Sequence, residues 1–112
     1  MGTPDGKYLY CADAGAKKTY RYSINNDGTL TNGQLFADQG SDGMTLDVRG
    51  NVYFTSKAGV TIYSAQGKKL SNIPIPEPSI TNVCFSGRKK DVLFITATTA
   101  VYTLKMNVKG VE

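Results

Sequence analysis

The hydrophobic pattern of the chain has period two. "KYLYCAD" (7–13), "NVYFTS" (51–56), "VTIYSA" (60–65) and "DVLFITA" (91–97) are short runs rich in Val, Ile, Tyr, Phe and Thr, each bounded by Gly, Asn, Asp or Lys. Alternation of this kind puts successive side chains on opposite faces of a strand, and no stretch repeats convincingly at helical spacing. Turn residues punctuate the runs. Asp5-Gly6, Asn26-Asp27-Gly28, Arg49-Gly50-Asn51, Ala65-Gln66-Gly67 and Arg88-Lys89-Lys90 each join two of them, as hairpin loops do. The pattern predicts an all-β chain.

The runs also repeat. "PDGKYLYCAD" from Pro4, "VRGNVYFTSK" from Val48 and "RKKDVLFITA" from Arg88 share a turn, an aromatic or aliphatic alternation and a small polar end. Their starts lie about 40 residues apart, the length of one four-stranded propeller blade. "DGMTLDV" and "TNVCFSG" supply a further strand ahead of the second and third units. Counting strands outward from a propeller axis, the chain reads as the second to fourth strands of one blade (near 7–13, 18–24, 33–37). All four strands of the next follow (43–48, 51–56, 60–64, 69–74), then the first three of a last (80–86, 91–97, 100–106). Residues 1–112 are thus expected to form a single partial β-propeller domain with blades near 3–38, 39–78 and 79–108. That is about two and a half blades, where a closed ring takes about four to eight. The Pro74-Ile75-Pro76-Glu77-Pro78 segment fits a stiff, non-pairing link between blades.

A blade buries its faces against its neighbours, so each end of such a fragment should leave an apolar face uncovered. Self-association, or a missing N-terminal portion, is the expected consequence. "MGTPDG" reads as a truncated start and not as a targeting segment, and there is no long apolar run. A soluble protein is expected; the compartment stays open, leaning to the cytoplasm.

Composition narrows the chemistry. The chain has no histidine, which removes the usual general base and the commonest transition-metal ligand together. Cys11 and Cys84 lie in apolar runs without the paired spacing of a zinc or redox site, and read as core thiols. The net charge of +4 comes largely from doublets beside turns, Lys17-Lys18, Lys68-Lys69 and Lys89-Lys90. Solvated turn charges are the expected reading, with no nucleic-acid or membrane partner. Chemistry, if any, falls to carboxylates, amides, hydroxyls and a hard cation.

Asp42 stands ahead of a predicted strand with no turn of its own to justify it. "SDGMTLDVRGNVYFTSKAGVTIYSAQGKKLSNIPIPEPSITNVCFSG" resembles the C-terminal part of the gluconolactonase, or senescence-marker-protein and regucalcin-like, family of six-bladed propellers, and "TPDGKYLYCADAG" is similar to the blade before it. The resemblance implies an axial divalent metal, calcium or zinc, and hydrolysis of sugar or other lactones. It matches Asp42 to the family's metal-ligating aspartate; the alternative is a turn initiator before Gly43. Asp13 matches an aspartate often near that site, as a catalytic or outer-shell carboxylate, or equally caps its hairpin. Asn82 has an amide oxygen to offer a cation or substrate, or is a satisfied polar residue at a strand entrance. Strand parity puts Asp13, Lys57 and Thr98 on second-to-third hairpins and Asp42 and Asn82 at first-strand entrances, which share one face. Lys57 is thereby a candidate for substrate contact. The doublets Lys68-Lys69 and Lys89-Lys90 fall on the opposite face.

The family's other metal ligands, a glutamate from the first blade and an asparagine ahead of the segment that begins here at Thr3, have no match in this chain. Two functions follow. One is part of a metal-dependent lactone hydrolase, incomplete and inactive alone; the other is a non-catalytic, self-associating propeller fragment or binding module. Whether the chain is an enzyme is left undecided by its residues.

Overall fold

A computed structural model describes residues 1–111 other than Ala14, Ala58 and Pro78. Ten strands form three antiparallel sheets, with no helix among the described residues. Each sheet is a meander in chain order: β1 (Tyr8–Asp13), β2 (Lys18–Ile24) and β3 (Leu30–Ala37); then β4 (Met44–Leu46), β5 (Val52–Ser56), β6 (Gly59–Tyr63) and β7 (Lys69–Pro74); then β8 (Ile80–Ser86), β9 (Val92–Ala97) and β10 (Val101–Lys105). The expected order of strands and the three-four-three partition are observed. The fold is a partial β-propeller whose sheets are its blades. The last proline of the connector, Pro78, lies outside the described residues.

Residues 1–41 make one compact unit and residues 42–112 another. In the first, β3 starts at Leu30, three residues earlier than the apolar pattern indicates. The cause is the tightness of the preceding turn: Gly28 donates to the Asn25 carbonyl (2.9 Å), and Asp27 Oδ1 accepts from the Thr29 amide (3.0 Å) and hydroxyl (2.6 Å). These bonds hold the Asp27 carboxyl below its ordinary value, and Ile24 pairs with Leu30 directly after the turn. Tyr10, Thr19 and Ala37 are buried on one face of this sheet. On the other face Cys11, Tyr20 and Leu35 lie side by side, and Leu35 is 53% exposed.

In the second unit the sheets β4–β7 and β8–β10 pack face to face. Tyr53 and Val60 from one meet Ile80, Val83, Phe85, Leu93 and Ile95 from the other. The Tyr53 and Phe85 rings cross edge to face at 5.2 Å between centroids. β4 is only three residues long because the chain reverses at Asp47, whose carboxylate is buried and gathers the turn around itself. Asp47 Oδ1 accepts from the amides of Arg49 (2.8 Å) and Asn51 (3.0 Å). Its Oδ2 accepts from the Asn51 side-chain amide and the Tyr53 hydroxyl, both at 2.9 Å. Burial, and then this bond to Asp47, push the Tyr53 phenol well above its ordinary value of 10.

Cys11 and Cys84 are not core thiols: both are exposed. Cys84 sits between the buried Val83 and Phe85, so period two turns it to the opposite face, beside Phe94 (39% exposed) and next to Val101 in the following pair. Cys11 follows buried Tyr10 and is turned away in the same manner. Both faces of a blade are apolar, and an apolar run does not say which face is covered. No helix among the described residues is long and apolar enough to cross a membrane, which leaves β-barrels unaddressed.

Candidate functional site

The second unit has two ends, set by the direction of its strands. At one end lie the entrance to β4 with Asp42, the β5–β6 hairpin with Lys57, the entrance to β8 with Asn82, and Thr98 after β9. Backbone bonds tie this end together: Thr55 donates to the Gly43 carbonyl (3.1 Å) and Thr98 to the Ser79 carbonyl (3.2 Å). Gly43 also donates to Thr55 Oγ1 at 3.1 Å, so β5 fixes the backbone that immediately follows Asp42.

Gly43 is what lets the β4 entrance meet Asn82. A Cβ at position 43 would stand 2.2 Å from Asn82 Oδ1 and 2.8 Å from Asn82 Cα, and only hydrogen fits there. The two strand entrances therefore touch, through backbone on one side and an amide on the other. Asn82 Oδ1 accepts from the Val83 amide at 2.8 Å, a bond that fixes the orientation of the side chain. Asp42 and Lys57 are exposed. Gly43→Ala should push the two entrances apart and cost about 2–3 kcal/mol, in the manner of an overpacked core position. Chemical denaturation of the variant checks this, and a loss under about 0.5 kcal/mol would mean that the entrances are not in contact.

Asp13 belongs to the first unit. It ends β1, opposite Lys18, and its Oδ1 accepts from the Ala16 amide at 3.0 Å, so it caps its own hairpin. This is the hairpin-capping alternative for Asp13. Among the described residues no three Asp, Glu, Cys or His side chains are grouped to hold a metal. The side-chain acceptors of the second unit's site end include the carboxylates of Asp42 and Glu77 and the amide oxygen of Asn82, hard ligands suited in kind to calcium, and Glu77 Oε1 accepts from the Thr99 hydroxyl at 2.6 Å. They are not gathered into one cluster, and in number they fall short of the about six to eight oxygens that calcium takes.

Sequence reasoning did not foresee the Asp47 cluster, since a turn aspartate carries no sign that a tyrosine six residues later will reach it. It also did not foresee the intimacy of Gly43 with Asn82, whose only trace is a glycine at a strand entrance.

Three antiparallel meander sheets in this order are successive blades of a partial propeller. The family model described as "SMP-30/Gluconolactonase/LRE-like region" matches residues 2–99, and the chain belongs to this family. Among curated relatives, it is 30% identical to the gluconolactonase of Zymomonas mobilis over 122 residues, covering 96% of this chain and 34% of that protein. It is 28% identical to the pentonolactonase XacC of Haloferax volcanii over 102 residues, 84% of this chain and 35% of that one. Of solved structures, a putative gluconolactonase superposes with a TM-score of 0.89 at 27% identity, over 99% of this chain and 39% of the other. Regucalcin from Agrobacterium tumefaciens, a calcium-binding protein, superposes with a TM-score of 0.84 over 97% of this chain and 45% of its own; at 21% identity that likeness shows the fold alone. The chain spans about a third of the length of these two curated relatives.

Proposed function

We propose that this chain is the C-terminal part of a metal-dependent lactone hydrolase acting on sugar lactones. The observation that supports the reading is the contact of Gly43, the residue after Asp42, with Asn82, which joins the β4 entrance to the start of β8. Membership of the gluconolactonase-like family supports it. In this reading Asp42 is a ligand of a divalent cation, calcium or zinc, which when bound supplies Lewis acidity toward a lactone carbonyl and a water. Asn82 offers its amide oxygen to the cation or hydrogen-bonds the substrate, and Lys57 faces substrate from the β5–β6 hairpin. Asp42 and Asn82 do not complete a site, so the remaining ligands come from a second polypeptide segment, and the chain alone is inactive.

A second reading, a non-catalytic self-associating module, has its own observation. The face bearing Cys84, Phe94 and Val101 and the face bearing Cys11 and Leu35 are both exposed and apolar, with Val101 58% exposed. At about 25 cal/mol per Å2, covering even a few hundred Å2 of such surface contributes several kcal/mol.

The mass in solution, measured by light scattering with and without calcium or zinc, separates the two. A metal-dependent assembly that disappears in Asp42→Ala is the expected result. An oligomer indifferent to metal and to Asp42→Ala supports the structural module and removes Asp42 from any site.

A further inference from the structure

The end of the second unit opposite Asp42 and Asn82 collects positive charge from turns that are far apart along the chain. Of nine lysines and arginines in residues 42–112, eight stand there: Arg49 in the β4–β5 turn, Lys68 in the β6–β7 turn, Lys69 at the start of β7, and Arg88, Lys89 and Lys90 in the β8–β9 turn. Lys105 at the end of β10 and Lys109 beyond it complete the group. All eight are exposed. Short bonds weld these turns into one surface. The Val48 amide donates to the Lys109 carbonyl and the Gly110 amide to the Lys90 carbonyl, both at 2.8 Å, and the Met106 amide donates to the Asp91 carbonyl at 2.7 Å. The β6–β7 turn adjoins the β4–β5 turn, since a Cβ on Gly50 would stand 3.3 Å from the Ala65 methyl.

Acidic groups hardly offset this charge. Among the described residues the acids at that end are Asp47, which is buried, and Asp91, which pairs with Lys105 at 2.7 Å. Aliphatic side chains stand out among the cations: Val48 is 63% and Leu70 51% exposed. The turns are fixed by their own bonds, Gly50 to the Asp47 carbonyl, Gly67 to the Ser64 carbonyl and Lys90 to the Gly87 carbonyl, so the charges are presented without a loop having to order.

We propose that this pole docks the protein on an anionic lipid surface, with the lysines and arginines at the headgroups and Val48 and Leu70 at the headgroup–acyl boundary. A bilayer is a broad plane of negative charge over an apolar layer, and it accommodates both parts of the pole. A nucleic acid would use the cations and leave Val48 and Leu70 without a partner, and Tyr63 at that end is half-buried with its ring packed against Phe54 at 5.4 Å between centroids. Docking by this end leaves the Asp42 end turned away from the membrane, and the proposal stands whether or not that end hydrolyses lactones.

Co-sedimentation with vesicles tests it. The protein should pellet with vesicles of phosphatidylglycerol mixed into phosphatidylcholine and stay in solution with phosphatidylcholine alone. Binding should vanish near about 1 M salt, where the screening length is about 3 Å. Reversing charge in the turns (Arg49→Glu, Arg88→Glu, Lys89→Glu, Lys109→Glu) should lower the partition coefficient about tenfold or more. Lys57→Glu, at the other end of the same unit, should leave it within about twofold. Circular dichroism confirms that the variants keep their strands, and the salt response of the unaltered protein gives a readout independent of them. Equal pelleting with both lipids, pelleting with neither, undiminished binding by the reversed variant, or capture by duplex DNA in place of vesicles would overturn the proposal.

Discussion

Asp47→Ala is expected to unfold the second unit under conditions where the parent chain is folded. The substitution removes the acceptor of four hydrogen bonds at a residue only 1% exposed and strands the buried Tyr53 hydroxyl. Each buried donor left without a partner costs about 1–3 kcal/mol. The Arg49 and Asn51 donors lie nearer solvent, where water replaces part of the loss, so a total of about 3–5 kcal/mol is expected. That is a large share of the about 5–15 kcal/mol that holds a typical domain. Asp47→Asn keeps one acceptor oxygen and should cost about half as much. Because the Tyr53 hydroxyl and the carboxylate act through one bond, Asp47→Ala and Tyr53→Phe should be less than additive by about 1–2 kcal/mol in a double-mutant cycle. Urea denaturation of the four proteins measures this. An Asp47→Ala loss below about 0.5 kcal/mol would show that the turn is held by its backbone bonds alone.

The legible part of the fold is the part that depends on local alternation. Val52 to Ser56 and Val92 to Ala97 announce themselves as strands because β-branched and aromatic residues alternate between turn residues, and the strands lie there. Strand order was legible for the same reason, since every connection is a tight hairpin or a short link. What local pattern does not encode is which of two apolar faces finds a neighbour. Cys11 and Cys84 sit in runs as apolar as any in the chain, yet both are exposed. Nor does it encode meetings between distant segments. The clustering of Arg49, Lys90 and Lys109, joined through the Val48–Lys109 and Gly110–Lys90 bonds, is hidden by a spacing of some 40 residues between the first two, the blade period itself. Asp42 was singled out by position and resemblance; the meeting of Gly43 with Asn82 needed the structure, because a glycine's lack of a side chain records that something is close without saying what.

Gly59→Ala should be the most disruptive single-methyl change in the chain. Gly59 opens β6 just after the hairpin that carries Lys57, with φ of 125°, a region that side chains other than glycine's scarcely enter. A Cβ there would lie 1.9 Å from the Ile73 carbonyl oxygen, 2.9 Å from its carbon and 3.0 Å from the Ile75 amide. These are backbone atoms of β7 and the link after it, and no rotamer change moves them aside. Backbone strain alone costs about 1–3 kcal/mol, and parting β6 from β7 adds to it, so a loss on the order of 4 kcal/mol is expected. Gly87→Ala is the internal reference: φ is also positive, at 89°, but the nearest atom to the new methyl is 3.6 Å away, an ordinary contact. Its cost should stop at about 1–2 kcal/mol, the price of a left-handed backbone for an L-residue. Ser56 Oγ donates to the Gly59 carbonyl, and Thr55 holds Gly43, so displacement of this hairpin also reaches the backbone that follows Asp42. Thermal unfolding of the two variants side by side separates contact from conformation. If Gly59→Ala loses no more than Gly87→Ala, β7 yields to the methyl, and the close approach of β6 and β7 does not explain the glycine that opens the strand.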